Sequence, residues 1–307
     1  MIRYFITVFR PARWYQNLLI LLGGISAVIL LNVTGFNIWL NLSVAFIACS
    51  LIASGNYGIN EVFDTEDDRH HPQKNNRPLP AGRLKAGQVL FISAILYVIG
   101  FAVSILLKRY LVTILLFLYF TNALFYNLKP LRLKDKPYID FISEALNNPL
   151  RFLIGWYTVA GVDKIFPASF IFALWFFGIF LMSAKRFGEF RLIKDKRELE
   201  SYRKSMVYYT EEKLLFTMIS ALSAAYYMLG AFCMKHSVDL LIALPFIIIW
   251  TIWFFHLAYE ENTIVKDPER IFEKLPFLIF STFGIALFIY MFLTKNNIME
   301  WVKQKPN

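Results

Sequence analysis

The chain alternates between long apolar runs and shorter polar segments. Runs of about 20 residues, the length that crosses the hydrocarbon core of a bilayer, lie at 17–33, 38–60, 86–107, 110–127, 138–160, 166–186, 213–234, 238–258 and 273–294. Backbone groups inside lipid must satisfy one another, so such runs fold as helices. The pattern predicts an all-α integral membrane protein, a single domain over 1–307 with about nine transmembrane helices.

Charged residues fall mainly on alternate loops. The loops after the second, fourth, sixth and eighth runs are long and basic, whereas the loop at 32–37 has no charge. Because Lys and Arg are enriched in cytoplasmic loops, we expect the N-terminus and these long loops in the cytoplasm of the cell and the C-terminus outside. The long loops would then form cytoplasmic caps that carry the functional residues.

Composition agrees with a location in the cell membrane. Hydrophobic residues make up 57% of the chain, which is more than ordinary soluble domains contain. Basic loops that face lipid headgroups account for the net charge of +10, so no nucleic-acid partner is inferred. Cys49 and Cys233 both lie in apolar runs, which argues against a disulfide or a metal cluster.

A cluster of acidic residues follows the second apolar run. Asn60, Asp64 and Asp68 are spaced i, i+4 and i+8, so they share one face of a helix. The C-terminal end of a helix favours cations, so this cluster needs positive charge beside it. Basic neighbours such as Arg77 are one explanation, and a bound divalent metal is the other. Mg²⁺ is often held by one or two carboxylates plus substrate phosphates, so we favour a metal–phosphate site over a solvated acidic helix end.

Polar residues also interrupt the fifth apolar run. Those that recur at helical spacing are Asp140, Glu144, Asn147 and Arg151. Ionisable groups at membrane depth usually face a bundle interior or a wet cavity. We therefore predict a polar wall of a central cavity in which Arg151 contacts phosphate or a second substrate, and an ion pair between Glu144 and Arg151 is the alternative. Pro149 is expected to kink this helix.

The acidic motif and its sequel carry a family resemblance. Asn60-x-x-x-Asp64-x-x-x-Asp68, followed by Asn-Arg-Pro-Leu-Pro-Ala-Gly at 76–82, resembles the first signature of the UbiA family of intramembrane prenyltransferases. The resemblance covers nearly the whole chain and is closest to archaeal members and to the branch that contains decaprenyl-phosphate phosphoribosyltransferase. It implies a helical bundle around a central cavity that binds an isoprenyl diphosphate through Mg²⁺. It also implies transfer of the prenyl group to a lipid, aromatic or quinone-precursor acceptor.

The resemblance also assigns roles to single residues. Asn60, Asp64 and Asp68 would be metal ligands, and the two aspartates would also be catalytic. The family's Tyr-x-x-Lys element matches Tyr126 and Lys129, which makes Lys129 a catalytic diphosphate ligand and Tyr126 a hydrogen-bond donor or a wall for the carbocation. Further candidates for contact with diphosphate are Asn17, Arg77 and Arg151.

The sequence departs from the family after the sixth apolar run. Most members have a second Asp-rich motif there that supplies a second Mg²⁺, but this chain has Lys185-Arg186-x-x-Glu189, with Asp195 and Glu198 further on. The pattern is similar to that of the phosphoribosyltransferase branch. Lys185 and Arg186 would neutralise phosphate, and Glu189 would be the anionic metal ligand. Whether a second Mg²⁺ binds, and which molecule is the acceptor, are left open by the sequence.

Three functions are compatible with these features. The first is Mg²⁺-dependent prenyl transfer, in which an isoprenyl diphosphate ionises and releases diphosphate. The second is transfer of phosphoribosyl from phosphoribosyl diphosphate to a polyprenyl phosphate, which the segment 185–189 favours. The third is transport of an anionic lipid or metabolite, which predicts an inverted repeat and broken helices at midplane. Because no such repeat is evident and the acidic motif lies at the interface, transport is the weakest of the three.

Overall fold

The computed structural model describes residues 1–69, 74–193, 203–236, 238–260 and 274–294. Within these ranges the chain is helical and contains no β-strand. The helices are α1 (Ile2–Phe9), α2 (Leu18–Leu30), α3 (Phe36–Arg69), α4 (Ala86–Leu106), α5 (Tyr110–Asn127), α6 (Ile139–Ala145), α7 (Asn147–Val159), α8 (Ala168–Leu192), α9 (Glu211–His236), α10 (Leu244–Tyr259) and α11 (Leu275–Thr294). Short 3₁₀ segments lie at Pro11–Asn17, Leu133–Asp135, Lys204–Tyr208 and Val238–Ala243.

Within the described ranges, 8 helical segments are long and apolar enough to cross a membrane. The remaining predicted span, 138–160, forms the two shorter helices α6 and α7, which meet at Leu146. Pro149 explains the break, since a proline ring clashes with the carbonyl four residues earlier. That carbonyl belongs to Ala145, the last residue of α6. The kink predicted at Pro149 is thus a complete break, and the predicted all-α membrane bundle is confirmed.

The described residues form two compact units. The first contains residues 1–166 and 203–208, and the second contains residues 167–193 and 209–294. In the first unit α3 packs along α4, and α2 packs along α7. Small and aliphatic side chains fill the core of this unit, among them Ala45, Ala48, Ile52, Leu116 and Ile154.

Glycines allow α2 and α7 to approach until their backbones touch. A Cβ atom on Gly155 would overlap the carbonyl oxygen of Ile20, and one on Gly23 would overlap that of Phe152. Both obstacles are backbone atoms, which cannot swing aside as a flexible side chain can. This crossing fixes the first half of α2 against the middle of α7.

The outer face of α4 is apolar and exposed. Phe91, Val98 and Ile105 are 68%, 70% and 64% exposed, and their spacing of seven residues places them on one side of the helix. A stripe of this kind in a helix long enough to cross a membrane is suited to contact with lipid tails.

The second unit is held together largely by aromatic side chains. Helix α8 packs along α9, and α10 contacts both α8 and α11. The Trp250 ring stacks on Phe254 with centroids 5.0 Å apart and lies 5.3 Å from the Phe277 ring. The Trp250 indole N–H donates to the Ser281 hydroxyl at 2.7 Å, which satisfies its polar atom inside the apolar packing.

Candidate functional site

The candidate site lies on the last three turns of α3. This helix has 34 residues and is about 50 Å long, so it extends well beyond the ~30 Å hydrocarbon core. Its apolar part packs in the first unit, and its C-terminal turns carry Glu61, Asp64, Asp67 and Asp68. Anions at this end oppose the helix dipole, so the structure must place cations around them.

Asp64 is paired with two cations from the loop between α5 and α6. The Lys134 ammonium donates to the Asp64 carboxylate and, at 3.1 Å, to the Asn127 amide oxygen. Arg132 lies 3.7 Å from the same carboxylate and 2.6 Å from that of Asp67. Burial lowers the pKa of Lys134 below its ordinary value, although the charge of Asp64 opposes that effect. The loop reaches α3 through a turn in which Arg132 has a left-handed backbone, with φ of 30°.

Asp68 is paired with the segment that follows α3. The Arg77 guanidinium donates to the Asp68 carboxylate at 2.6 Å, and the Lys74 ammonium lies 3.9 Å from it. Arg77 also lies 3.6 Å from the buried carboxylate of Glu61. Arg10, just after α1, donates to Glu61 at 3.0 Å. Neighbouring basic side chains, the first of the two explanations for the acidic cluster, are thus present.

Tyr126 joins a second polar group in the same unit. Its hydroxyl donates to Glu144 at 3.1 Å and accepts from Arg203 at 2.9 Å. Arg203 lies 3.6 Å from the fully buried carboxylate of Asp140. Lys129 is exposed and forms no ion pair with any described residue. Its assignment to diphosphate stays a prediction, and the lysine at the acidic cluster is Lys134.

Asn17 and Arg151 contact each other in the interior of the first unit. The Arg151 Nε donates to the Asn17 side-chain oxygen at 2.8 Å, and the Asn17 amide donates to Ser50 at 2.9 Å. Arg151 also donates to the Tyr119 hydroxyl at 3.1 Å. Ser50 precedes Asp64 on α3 by about 20 Å along the helix axis. Contact of Asn17 and Arg151 with diphosphate stays a prediction, and they form a polar centre deeper in the bundle than the acidic cluster.

The predicted polar wall on the fifth span is divided between two helices. Asp140 and Glu144 lie on α6, whereas Asn147 and Arg151 lie on α7. Asn147 accepts a hydrogen bond from Asn122 at 3.1 Å. Among the described residues Arg151 has no carboxylate partner, so the alternative of an ion pair with Glu144 is wrong. The guanidinium is held by neutral oxygens and by the ring of Tyr119, 5.3 Å away.

The basic segment of the second unit lies on the last turns of α8. The Arg186 guanidinium is buried and donates to the Glu189 carboxylate at 2.8 Å. Lys185 precedes this pair and is half-buried. The roles of Lys185 and Arg186 at phosphate and of Glu189 at a metal stay predictions. Asp195 and Glu198 lie outside the described residues.

The donor set of the acidic cluster is suited to Mg²⁺. Asn60, Asp64 and Asp68 present side-chain oxygens along one helix face, and Asn60 makes no side-chain hydrogen bond within the described ranges. No group of three His, Cys, Asp or Glu side chains there converges as it would around a metal. Because Mg²⁺ is commonly held by one or two carboxylates plus substrate phosphates, these residues fit an ion whose coordination a phosphorylated substrate completes.

A membrane bundle with an Asn-x-x-x-Asp-x-x-x-Asp face set among basic side chains has the architecture of an intramembrane transferase. The chain belongs to the UbiA prenyltransferase family, whose model matches residues 18–278. It is 30% identical to a decaprenyl-phosphate phosphoribosyltransferase from Mycolicibacterium smegmatis, over 76% of this chain and 71% of the relative. It is 41% identical to a digeranylgeranylglyceryl phosphate synthase from Sulfurisphaera tokodaii, over 28% of this chain and 32% of the relative.

Solved structures share the fold. A UbiA homologue from Archaeoglobus fulgidus bound to GPP and Mg²⁺ matches with a TM-score of 0.70. The match covers 95% of this chain and 99% of the other, at 16% sequence identity. The structural match shows the fold. The family match and the 30% identical relative confirm the family resemblance seen in the acidic motif, and the protein is a multi-pass membrane transferase.

Proposed function

We propose that the chain transfers an isoprenyl group from an isoprenyl diphosphate to an acceptor, with Mg²⁺ and the diphosphate held at the end of α3. The observation that carries this proposal is the Asn60, Asp64 and Asp68 face, a Mg²⁺-type donor set surrounded by basic side chains. Mg²⁺ bound there would stabilise the negative charge on the leaving diphosphate.

The basic side chains at the cluster would bind the phosphate oxygens. Lys134 and Arg77 each contact a carboxylate of the motif, so they lie where a diphosphate bridged to those carboxylates would be. Charge-assisted N–H donors of this kind are the stronger hydrogen bonds to phosphate. Because they are already positioned, they stabilise the charge that develops on the leaving group without reorganisation.

The departing allylic cation needs a dry wall without nucleophiles. Tyr126 is a candidate for that wall, since its ring is aromatic and its hydroxyl is engaged by Glu144 and Arg203. Attraction of a cation to an aromatic face contributes about 0.5–2 kcal/mol. A bundle inside the membrane also gives an isoprenoid tail direct access from lipid.

Phosphoribosyl transfer is the second candidate. It would use the same acidic cluster for the diphosphate of phosphoribosyl diphosphate, with a polyprenyl phosphate as acceptor. The specific observation that favours it is the likeness, over 76% of the chain, to a relative named for that activity. The Arg186–Glu189 pair, in the place of a second Asp-rich motif, is consistent with this reaction.

Calorimetry on the purified protein separates the two candidates. The ligands are a non-hydrolysable geranyl diphosphate analogue and phosphoribosyl diphosphate, each with and without Mg²⁺. The proposal expects Mg²⁺-dependent binding of the prenyl compound. Binding of the sugar diphosphate alone would establish the second candidate, and binding of neither would overturn both.

The proposed orientation places this site in the cytoplasm. The acidic cluster, the loop at 128–138 and the N-terminal segment all meet in the first unit. They are the most basic loops of that unit, and basic loops remain on the cytoplasmic side. Water-soluble substrates would therefore reach the site from inside the cell.

A further inference from the structure

Glu61 lies beside the predicted metal ligands, yet the chemistry proposed above does not use it. Its side chain is buried, with 2% exposure, at the end of α3. A buried carboxylate is costly unless it is paired and hydrogen-bonded. Glu61 meets that requirement through two arginines that come from different parts of the chain.

The first arginine, Arg77, is shared between two carboxylates. Its Nη1 atom lies 2.6 Å from Asp68 and 3.6 Å from Glu61. Glu61 and Asp68 are seven residues apart on α3, so both face the same side of the helix. Arg77 therefore lies between the motif residue Asp68 and Glu61, a carboxylate at a variable position of the motif.

The second arginine, Arg10, ties the N-terminal segment to the same carboxylate. Arg10 donates to Glu61 at 3.0 Å and lies over the Tyr57 ring at 5.5 Å. Without the carboxylate between them, the positive charges of Arg10 and Arg77 would repel each other. Glu61 thus holds two cations close together.

Apolar packing brings the same two segments together. Val8 and Phe9 of α1 are buried against Leu79 and Leu84, which follow Arg77, and against Val89 of α4. The N-terminal helix and the segment with Arg77 therefore pack as one body on α3. Glu61 supplies the polar part of that contact.

We propose that Glu61 is a positioning residue for the diphosphate site, which holds Arg77 beside Asp68 and couples the N-terminal helix to that arginine. The proposal rests on the proposed function, since it assumes that Arg77 and Asp68 act on a diphosphate. Glu61 would not touch the substrate. Loss of the Glu61 carboxylate would move the Arg77 guanidinium, which does touch the substrate.

The test uses inorganic diphosphate, the group common to both candidate donors. Calorimetry on the full-length protein with Mg²⁺ gives its Kd for wild type and for Glu61→Gln, which keeps the shape and removes the charge. Supporting residues around a metal site typically contribute 10–100-fold in affinity, so we expect a loss of about tenfold or more. Glu61→Asp, which keeps the charge, should restore part of that loss.

Glu66→Gln is the matched control. It is the same substitution on the same helix, but Glu66 is exposed and has no ion pair within the described residues. Its Kd should stay within about twofold of wild type, as surface substitutions generally have small effects. An equal loss in both variants would mean that bulk charge is responsible, and would overturn the proposal.

A double-mutant cycle separates positioning from general destabilisation. If Glu61 acts through Arg77, then Glu61→Gln combined with Arg77→Gln should weaken binding no more than Arg77→Gln alone. Additive losses of affinity, or a loss of affinity that only parallels a fall in the thermal unfolding midpoint, would contradict the proposal.

The aspartate variants distinguish failure of the proposed function from failure of this inference. If Asp64→Ala and Asp68→Ala retain full binding, the proposed function itself fails. If the two aspartate variants lose binding and Glu61→Gln does not, only the inference about Glu61 fails and the proposed function stands.

Discussion

Each buried or half-buried carboxylate of the acidic cluster has a basic partner that lies outside α3. Lys134 reaches Asp64 from the loop after α5, and Arg77 reaches Asp68 from the segment after α3. These basic side chains offset the unfavourable interaction between the carboxylates and the C-terminal end of the helix dipole. The same pairs hold the N–H donors of Lys134 and Arg77 at the place where phosphate oxygens would bind.

The two lysines of the loop after α5 should differ in their effect on diphosphate binding. Lys134→Met removes the ammonium beside Asp64 and should raise the Kd for Mg²⁺-diphosphate by about tenfold or more. Lys129→Met should cause a smaller loss, because Lys129 is exposed and unpaired among the described residues. Isothermal titration of both variants provides the measurement.

Lys136→Met is the control for this comparison. Lys136 lies in the same loop, is exposed, and has no ion pair within the described ranges, so its variant should bind like wild type. A loss at Lys129 larger than that at Lys134 would contradict this expectation and would support the prediction that Lys129 is the diphosphate ligand.

The sequence supplied both members of the Asp68–Arg77 pair but only the acidic member of the Asp64–Lys134 pair. Helical spacing predicted that Asp64 and Asp68 share a face, and the basic sequel indicated Arg77. Spacing could not select Lys134 from the several basic residues at 129–136, because the selection depends on a turn with a left-handed Arg132. The neighbourhood of Asn17 and Arg151 was likewise beyond prediction, since it requires α2 and α7 to cross closely.

At the scale of helices, two residue types determine where elements end and meet. Pro149, in the first turn of α7, separates α6 from α7, although the apolar run alone predicts one span. Gly23 and Gly155 let the α2 and α7 backbones touch. The number and order of helices follow from apolar run lengths, but the contacts between helices depend on such single residues.

Gly155→Ala should disrupt the crossing of α2 and α7. Its Cβ would overlap a backbone carbonyl, so one helix must shift, and overpacking of this kind costs about 1–3 kcal/mol or more. The thermal unfolding midpoint in detergent should fall. Gly230→Ala, on α9, meets no atom within 4 Å and serves as the control. Equal midpoints for the two variants would refute the close crossing.

At the scale of the whole molecule, charge and apolarity together predict topology. The chain is a multi-pass membrane protein by its helices and its family. The proposed orientation puts the acidic cluster and the loop at 128–138 in the cytoplasm and the loop at 160–167 outside. This assignment comes from the distribution of Lys and Arg.

Labelling of single cysteines tests that orientation. In intact cells a membrane-impermeant maleimide should label Asp163→Cys and should leave Lys136→Cys unlabelled until the cells are opened. Both positions are exposed, and the native Cys49 and Cys233 are buried, which limits background labelling. The reverse pattern would invert the proposed topology.

The most direct test of the proposed diphosphate site is Mg²⁺-dependent binding of the geranyl diphosphate analogue to Asp64→Ala and Asp68→Ala, measured by calorimetry against wild type and Glu66→Ala. We expect both aspartate variants to lose Mg²⁺-dependent binding while they remain folded, and we expect Glu66→Ala to bind normally. Undiminished Mg²⁺-dependent binding in both aspartate variants would contradict the assignment of the diphosphate site to the end of α3.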